Sequence, residues 1–127
     1  MAKTKIGSRK TIDPEESLAR LCAEGALEKK AEDVVILDMR GISSFTDFFV
    51  IVSGTSEPQL KAIASSVREK IRTSIGQRPI AEDGFPESQW VIIDYGGVIV
   101  HIFHADKREV YGLETLWNDA RRIEIKE

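Results

Sequence analysis

The segment WVIIDYGGVIVHIFH, residues 90–104, constrains the fold more than any other stretch of the chain. Gly96-Gly97 separates an alternating run from an apolar one, and two glycines in that setting specify a two-residue β-hairpin turn. With those residues as the turn, Tyr95 pairs with Val98, Asp94 with Ile99, Ile93 with Val100, Ile92 with His101, Val91 with Ile102 and Trp90 with Phe103. Side chains alternate between the two faces of a strand, so the register also sorts them. Val91, Ile93, Tyr95, Val98, Val100 and Ile102 form an almost wholly apolar face that is expected to meet helices. Trp90, Ile92, Asp94, Ile99, His101 and Phe103 form the other. Large aromatics beside an acid and a histidine are closer in composition to a protein-binding patch than to a core. The alternative is that the first helix covers this face, with Asp94 and His101 satisfying each other or the backbone.

Upstream, TIDPEESLARLCAEGALEKK opens with Asp13 as N-cap, Pro14 at the first helical position and Glu16 three residues after the cap, close to a capping box. Leu18, Leu21 and Cys22 keep a helical period, while Gly25 weakens the helix interior by up to about 1 kcal/mol. Residues 34–39 (VVILDM) and 47–54 (DFFVIVSG) are continuous runs rich in β-branched and aromatic residues, the pattern of central strands covered on both faces. GISS supplies the turn chemistry between them. In SEPQLKAIASSVREKIRTSIG, Ser56 is the N-cap, Leu60, Ile63, Ala64, Val67 and Ile71 form one stripe, and Gly76 ends the helix. QRPIAEDGFPESQ allows a short edge strand near residues 78–81. YGLETLW places Leu113, Leu116 and Trp117 at helical spacing, a short last helix against the sheet. This order of elements predicts a single α/β domain with helices layered on a mixed sheet.

At 127 residues with 42% hydrophobic side chains, the chain is about the size of one packed domain. Its charge is unevenly placed. Lys3, Lys5, Arg9 and Lys10 fall in the first ten residues with no acid, so the net charge of −3 leaves −7 on the other 117. Residues 1–12 are expected to be a basic flexible tail, 13–119 the folded domain and 120–127 a C-terminal tail. An acidic body repels phosphate backbones, which argues for little direct nucleic-acid contact and for a basic protein partner. No stretch approaches the roughly 20 apolar residues of a membrane span, and the N-terminus lacks the apolar stretch of a secretory signal, so a soluble cytoplasmic protein is expected. Cys22, the single cysteine, reads as a small core residue. His101 and His104 fall on opposite faces of one strand and cannot share an ion, so no metal is expected. The turn VSGTS resembles an anion site but lacks the endings of a P-loop or a dinucleotide fingerprint; Ser53 to Ser56 reads as cap and turn, and no cofactor is expected.

With SSFTDFFVIVSGTSEPQLKAIA, WVIIDYGGVIVHIFH and REVYGLETLW present and in order, the sequence resembles the Iojap family, the ribosomal silencing factors, over residues 13–119. The resemblance implies a nucleotidyltransferase-like α/β fold used for binding, not for catalysis. It implies docking on ribosomal protein fourteen of the large subunit, which blocks joining of the small subunit and lowers translation when nutrients are scarce. WVIIDYG matches the family's Trp-Val-Leu-Leu-Asp-Tyr-Gly, so Trp90, Asp94 and Tyr95 inherit a place at or beside the docking surface, with Ile92, Ile99, His101 and Phe103 of the mixed face around them. Family members often form homodimers, and an exposed face carrying Trp90 and Phe103 would favour self-association. Three positions depart from the family pattern: Phe48 for a tyrosine, Gly97 for a hairpin aspartate and Gly112 for an aspartate before the last helix. The second removes one contact for a basic partner; the third weakens a helix cap by about a few tenths of a kcal/mol. Two rival functions are a nucleotidyltransferase-like enzyme and an adaptor for another basic protein. Nucleotide transfer needs a Gly-Ser turn followed by two carboxylates spaced i, i+2 on a strand to hold metal ions. Here SGTS leads into EPQLKAIASSVREK, whose acids belong to a helix.

Overall fold

A computed structural model describes residues 13–85 and 89–125; the basic tail expected over residues 1–12 lies outside them. The chain runs α1 (Pro14–Leu27), β1 (Glu32–Asp38), β2 (Phe48–Gly54), α2 (Glu57–Ile75), β3 (Ala81–Phe85), β4 (Trp90–Asp94), β5 (Val98–His104), α3 (Ala105–Tyr111), α4 (Leu113–Leu116) and β6 (Arg121–Glu124). The strands form one sheet in the order β3-β4-β5-β2-β1-β6. β2 and β5 are parallel and the other neighbours antiparallel, so the expected mixed α/β class is the one observed.

Both long helices are set by their ends. Asp13 Oδ1 accepts the Glu15 N–H at 2.7 Å and Pro14 follows at the position where a missing N–H costs nothing. Glu16 does not complete a capping box; it bonds Arg20 one turn on at 2.9 Å. Ser56 Oγ accepts the Gln59 N–H at 3.2 Å, and left-handed Gly76 ends α2. The buried side chains of α2 are Leu60, Ile63, Ala64, Val67 and Ile71, the stripe expected from the helical period. With Leu18, Cys22 and the alanines of α1 they cover one face of the sheet, each large aliphatic contributing about 1.5–3 kcal/mol. Burial pushes the Cys22 thiol pKa up. Gly25, unfavourable to helix propensity, lets the helices meet closely. A Cβ there would stand 3.0 Å from the Val67 backbone, and Ser66 Oγ donates to the Gly25 carbonyl at 2.6 Å.

Four features differ from expectation. The edge strand β3 begins at Ala81, past residues 78–80, because Pro79 has no N–H for a ladder; the Ile80 N–H is the first to reach β4, at Asp94 O. Residues 121–124, expected in the tail, form β6 on the edge of β1, with Ile123 buried and Arg121 bonded to Asp38. Residues 105–111 form α3, capped by His104 Nδ1, which accepts the Asp106 N–H. Leu116, expected on the sheet, is 68% exposed, while Leu113 and Trp117 pack against the second face. Gly112 joins α3 to α4 in the left-handed conformation, φ +64°, which glycine adopts without strain; α4 has no side-chain cap bond. Among the described residues no helix is long and apolar enough to cross a membrane.

Candidate docking face

The hairpin has the expected register. Trp90 faces Phe103, Val91 Ile102, Ile92 His101, Ile93 Val100 and Asp94 Ile99, and the Tyr95 N–H closes on Val98 O at 2.8 Å. The apolar face meets α1 and α2 as predicted. Tyr95, expected at or beside the docking surface, belongs to this sealed face and is only 3% exposed, so its side chain lies on the side of the sheet away from the mixed face. Its hydroxyl is buried without a hydrogen-bond partner, and burial raises its pKa.

The mixed face is partly covered, and by α3 and α4 instead of the first helix. Phe103 is fully buried and His101 is 5% exposed, so these two expected contact residues lie beneath the surface. The Trp90 ring stacks on Phe103 with centroids 5.0 Å apart and meets Tyr111 of α3 at 4.4 Å. The indole Nε1–H donates to His101 Nδ1 at 3.2 Å, and Phe49 meets the same imidazole edge-on at 4.5 Å. Burial holds the His101 pKa at about 3, so the imidazole is neutral at pH 7. Asp94 does not pair with His101; its Oδ1 accepts the Gly96 N–H at 2.7 Å and tightens the turn.

Trp90, Ile92, Asp94 and Ile99 remain half-exposed. Their neighbourhood includes side chains that the hairpin pattern did not identify. Phe45, before β2, is 58% exposed and contacts Phe49, which in turn meets Trp117. The short helices add exposed Val110, Tyr111 and Leu116. The signal available for them was the density of apolar residues in FTDFF and VYGLETLW, segments too short to assign a face by periodicity.

The two short helices are held by charge. Arg108 donates to both carboxylate oxygens of Glu114, at 2.9 and 3.1 Å, and to Ser53 Oγ on β2 at 2.8 Å. Arg122 of β6 adds a 2.9 Å bond to Glu114, whose pKa is lowered chiefly by Arg108. A bidentate, mostly buried pair of this kind fixes geometry better than an exposed one. The VSGTS turn is occupied by its own residues: Gln59 Oε1 accepts the Thr55 N–H at 2.7 Å, and Ser56 caps α2. A side chain at Gly97 would meet the carboxyl end of Glu15, so an aspartate there would set two like charges together.

A family model described as ribosomal silencing factor during starvation matches residues 11–127. The chain is 42% identical over 111 residues to ribosomal silencing factor RsfS of Halalkalibacterium halodurans, covering 87% of this chain and 94% of that one. It is 41% identical over 106 residues to the protein of the same name in Bacillus subtilis, covering 84% and 89%. A crystal structure of a Bacillus halodurans protein superposes with a TM-score of 0.74 at 40% identity, covering 87% of this chain and 99% of that one. Motifs, sheet order and these similarities agree: the chain belongs to the ribosomal silencing factor family.

Proposed function

We propose that this chain represses translation by docking on the large ribosomal subunit through ribosomal protein fourteen and so keeping the small subunit from joining. Support comes from the family and from relatives named as silencing factors. The observation that carries the reading is the half-covered aromatic face around Trp90, Tyr111 and Phe45, the type of patch that a monomer in water does not keep without use. Trp90, Ile92, Asp94 and Ile99 are its contact residues, and His101 and Phe103 support them from below. The acidic body suits a basic protein, and association should be faster at low salt, since exposed charges are screened beyond about 8 Å at physiological ionic strength.

Steric blocking needs no reaction, cofactor or metal. This is supported by the acids after SGTS lying on α2 and by Asp38 being bonded to Arg40 at 2.7 Å and Arg121 at 3.1 Å. The proposal carries a cytoplasmic location, where ribosomes work. A second copy is the competing occupant of the same mixed face, giving a homodimer that large subunits should dissociate. Mixing separated subunits with increasing protein should lower the yield of joined ribosomes in proportion to occupancy of the large subunit. Sedimentation with small subunits alone, or unchanged joining at saturation, overturns the proposal.

A further inference from the structure

A buried histidine with an unpartnered nitrogen needs a reason, because phenylalanine would fill the same space without leaving a polar atom dry. His101 is such a residue. It sits on β5 with Phe49 edge-on at 4.5 Å and Phe103 stacked at 6.2 Å, and its Nε2 is buried with no hydrogen-bond partner. Its other nitrogen is engaged, because Nδ1 lies 3.2 Å from the indole Nε1 of Trp90 and accepts its proton. That contact demands a neutral ring with the hydrogen on Nε2. Burial away from water keeps the ring neutral, and an imidazolium there would also present a donor to the indole donor.

We infer that His101 is a positioning residue for the docking face: its Nδ1 fixes which edge of the Trp90 indole turns inward, a flip about the Cβ–Cγ bond that stacking on Phe103 and Tyr111 leaves open. Stacking sets the plane of a ring; a single N–H bond sets which edge points outward. A half-buried tryptophan held in one orientation loses less side-chain freedom on binding, and preorganisation of this kind raises affinity without adding a contact. The inference rests on the docking reading only for the use to which the orientation is put.

The test uses the full-length, 15N-labelled chain and separated large ribosomal subunits. In the wild type, the imidazole nitrogen shifts should report the tautomer protonated at Nε2, and the Trp90 indole N–H, identified by its persistence in Trp117→Phe, should exchange slowly with solvent. His101→Phe keeps a ring but removes the acceptor: indole exchange should accelerate and affinity for large subunits should fall about tenfold. His101→Asn, which returns an acceptor close to the Nδ1 position, should recover most of both. A wild-type ring protonated at Nδ1, or indole exchange unchanged in His101→Phe, overturns the inference, and the tautomer decides it even if the variant fails to fold. Faster exchange with undiminished affinity overturns the link between orientation and docking. If the wild type shows the expected tautomer and exchange but binds no large subunit, the positioning stands and the docking reading fails.

Discussion

The two faces of the β4–β5 hairpin differ in how they are covered more than in what they contain. Val91, Ile93, Val98, Val100 and Ile102 lie beneath helices of 14 and 19 residues that bring their own buried stripes. The opposite face lies beneath helices of seven and four residues that bury no side chain of their own fully. Long amphipathic helices seal a sheet. Short ones held by an Arg108–Glu114 clamp leave aromatic rings half covered, and a half-covered ring is what a partner can complete. On the proposed docking reading, the binding surface arises from incomplete cover over an aromatic layer.

The sharpest way to break this comparison is Ile93→Ala. On the sealed face it should lower stability by about 2 to 5 kcal/mol in chemical denaturation, because the helices cannot collapse into the cavity. A smaller loss would mean that the sealed face is softer than its burial indicates. Trp90→Ala should weaken large-subunit binding by about 2 kcal/mol or more. Its stacking on Phe103 and Tyr111 also predicts a measurable loss of stability, so binding and denaturation must be read on the same sample.

Acid should affect the half-covered face selectively. His101 has a folded pKa of about 3, depressed by burial, whereas its unfolded value is near 6.5. Below pH 6.5 the unfolded chain binds a proton that the folded chain refuses, so this contribution is complete above that value and is lost as pH falls toward 3. Between pH 7 and 5 the wild type should lose about 2 kcal/mol more than His101→Phe in parallel denaturation curves. Equal losses would show that the ring is wetter than the geometry requires.

The smaller effects sharpen the outline of the face. Asp94→Ala removes the acceptor for the Gly96 N–H and should cost about 1 kcal/mol of stability. Phe45→Ala should leave stability within about 0.5 kcal/mol, being an exposed site, yet reduce binding if the face extends to the loop before β2. Unaltered binding in that variant would confine the face to the hairpin and α3.

The hairpin register, the α2 stripe, both helix caps and the split between an apolar and a mixed face follow from residue order alone. Two glycines pin a register, period-2 alternation then assigns every side chain to a face, and a five-residue stripe at helical spacing leaves one way to bury it. These are local rules, and they acted locally. Which residues of the mixed face reach solvent was decided elsewhere in the chain. Tyr111 and Trp117 reach Trp90 and Phe49 only once α3 and α4 fold back over the sheet, with Arg108 on Ser53 and Arg122 on Glu114 holding them there. β6 likewise exists because β1 offers an open edge and Asp38 a partner for Arg121; four residues with one buried isoleucine carry too little pattern to announce a strand. Residue order sets what a segment can bury, whereas exposure is a property of what packs on it, and that depends on contacts between residues far apart in sequence.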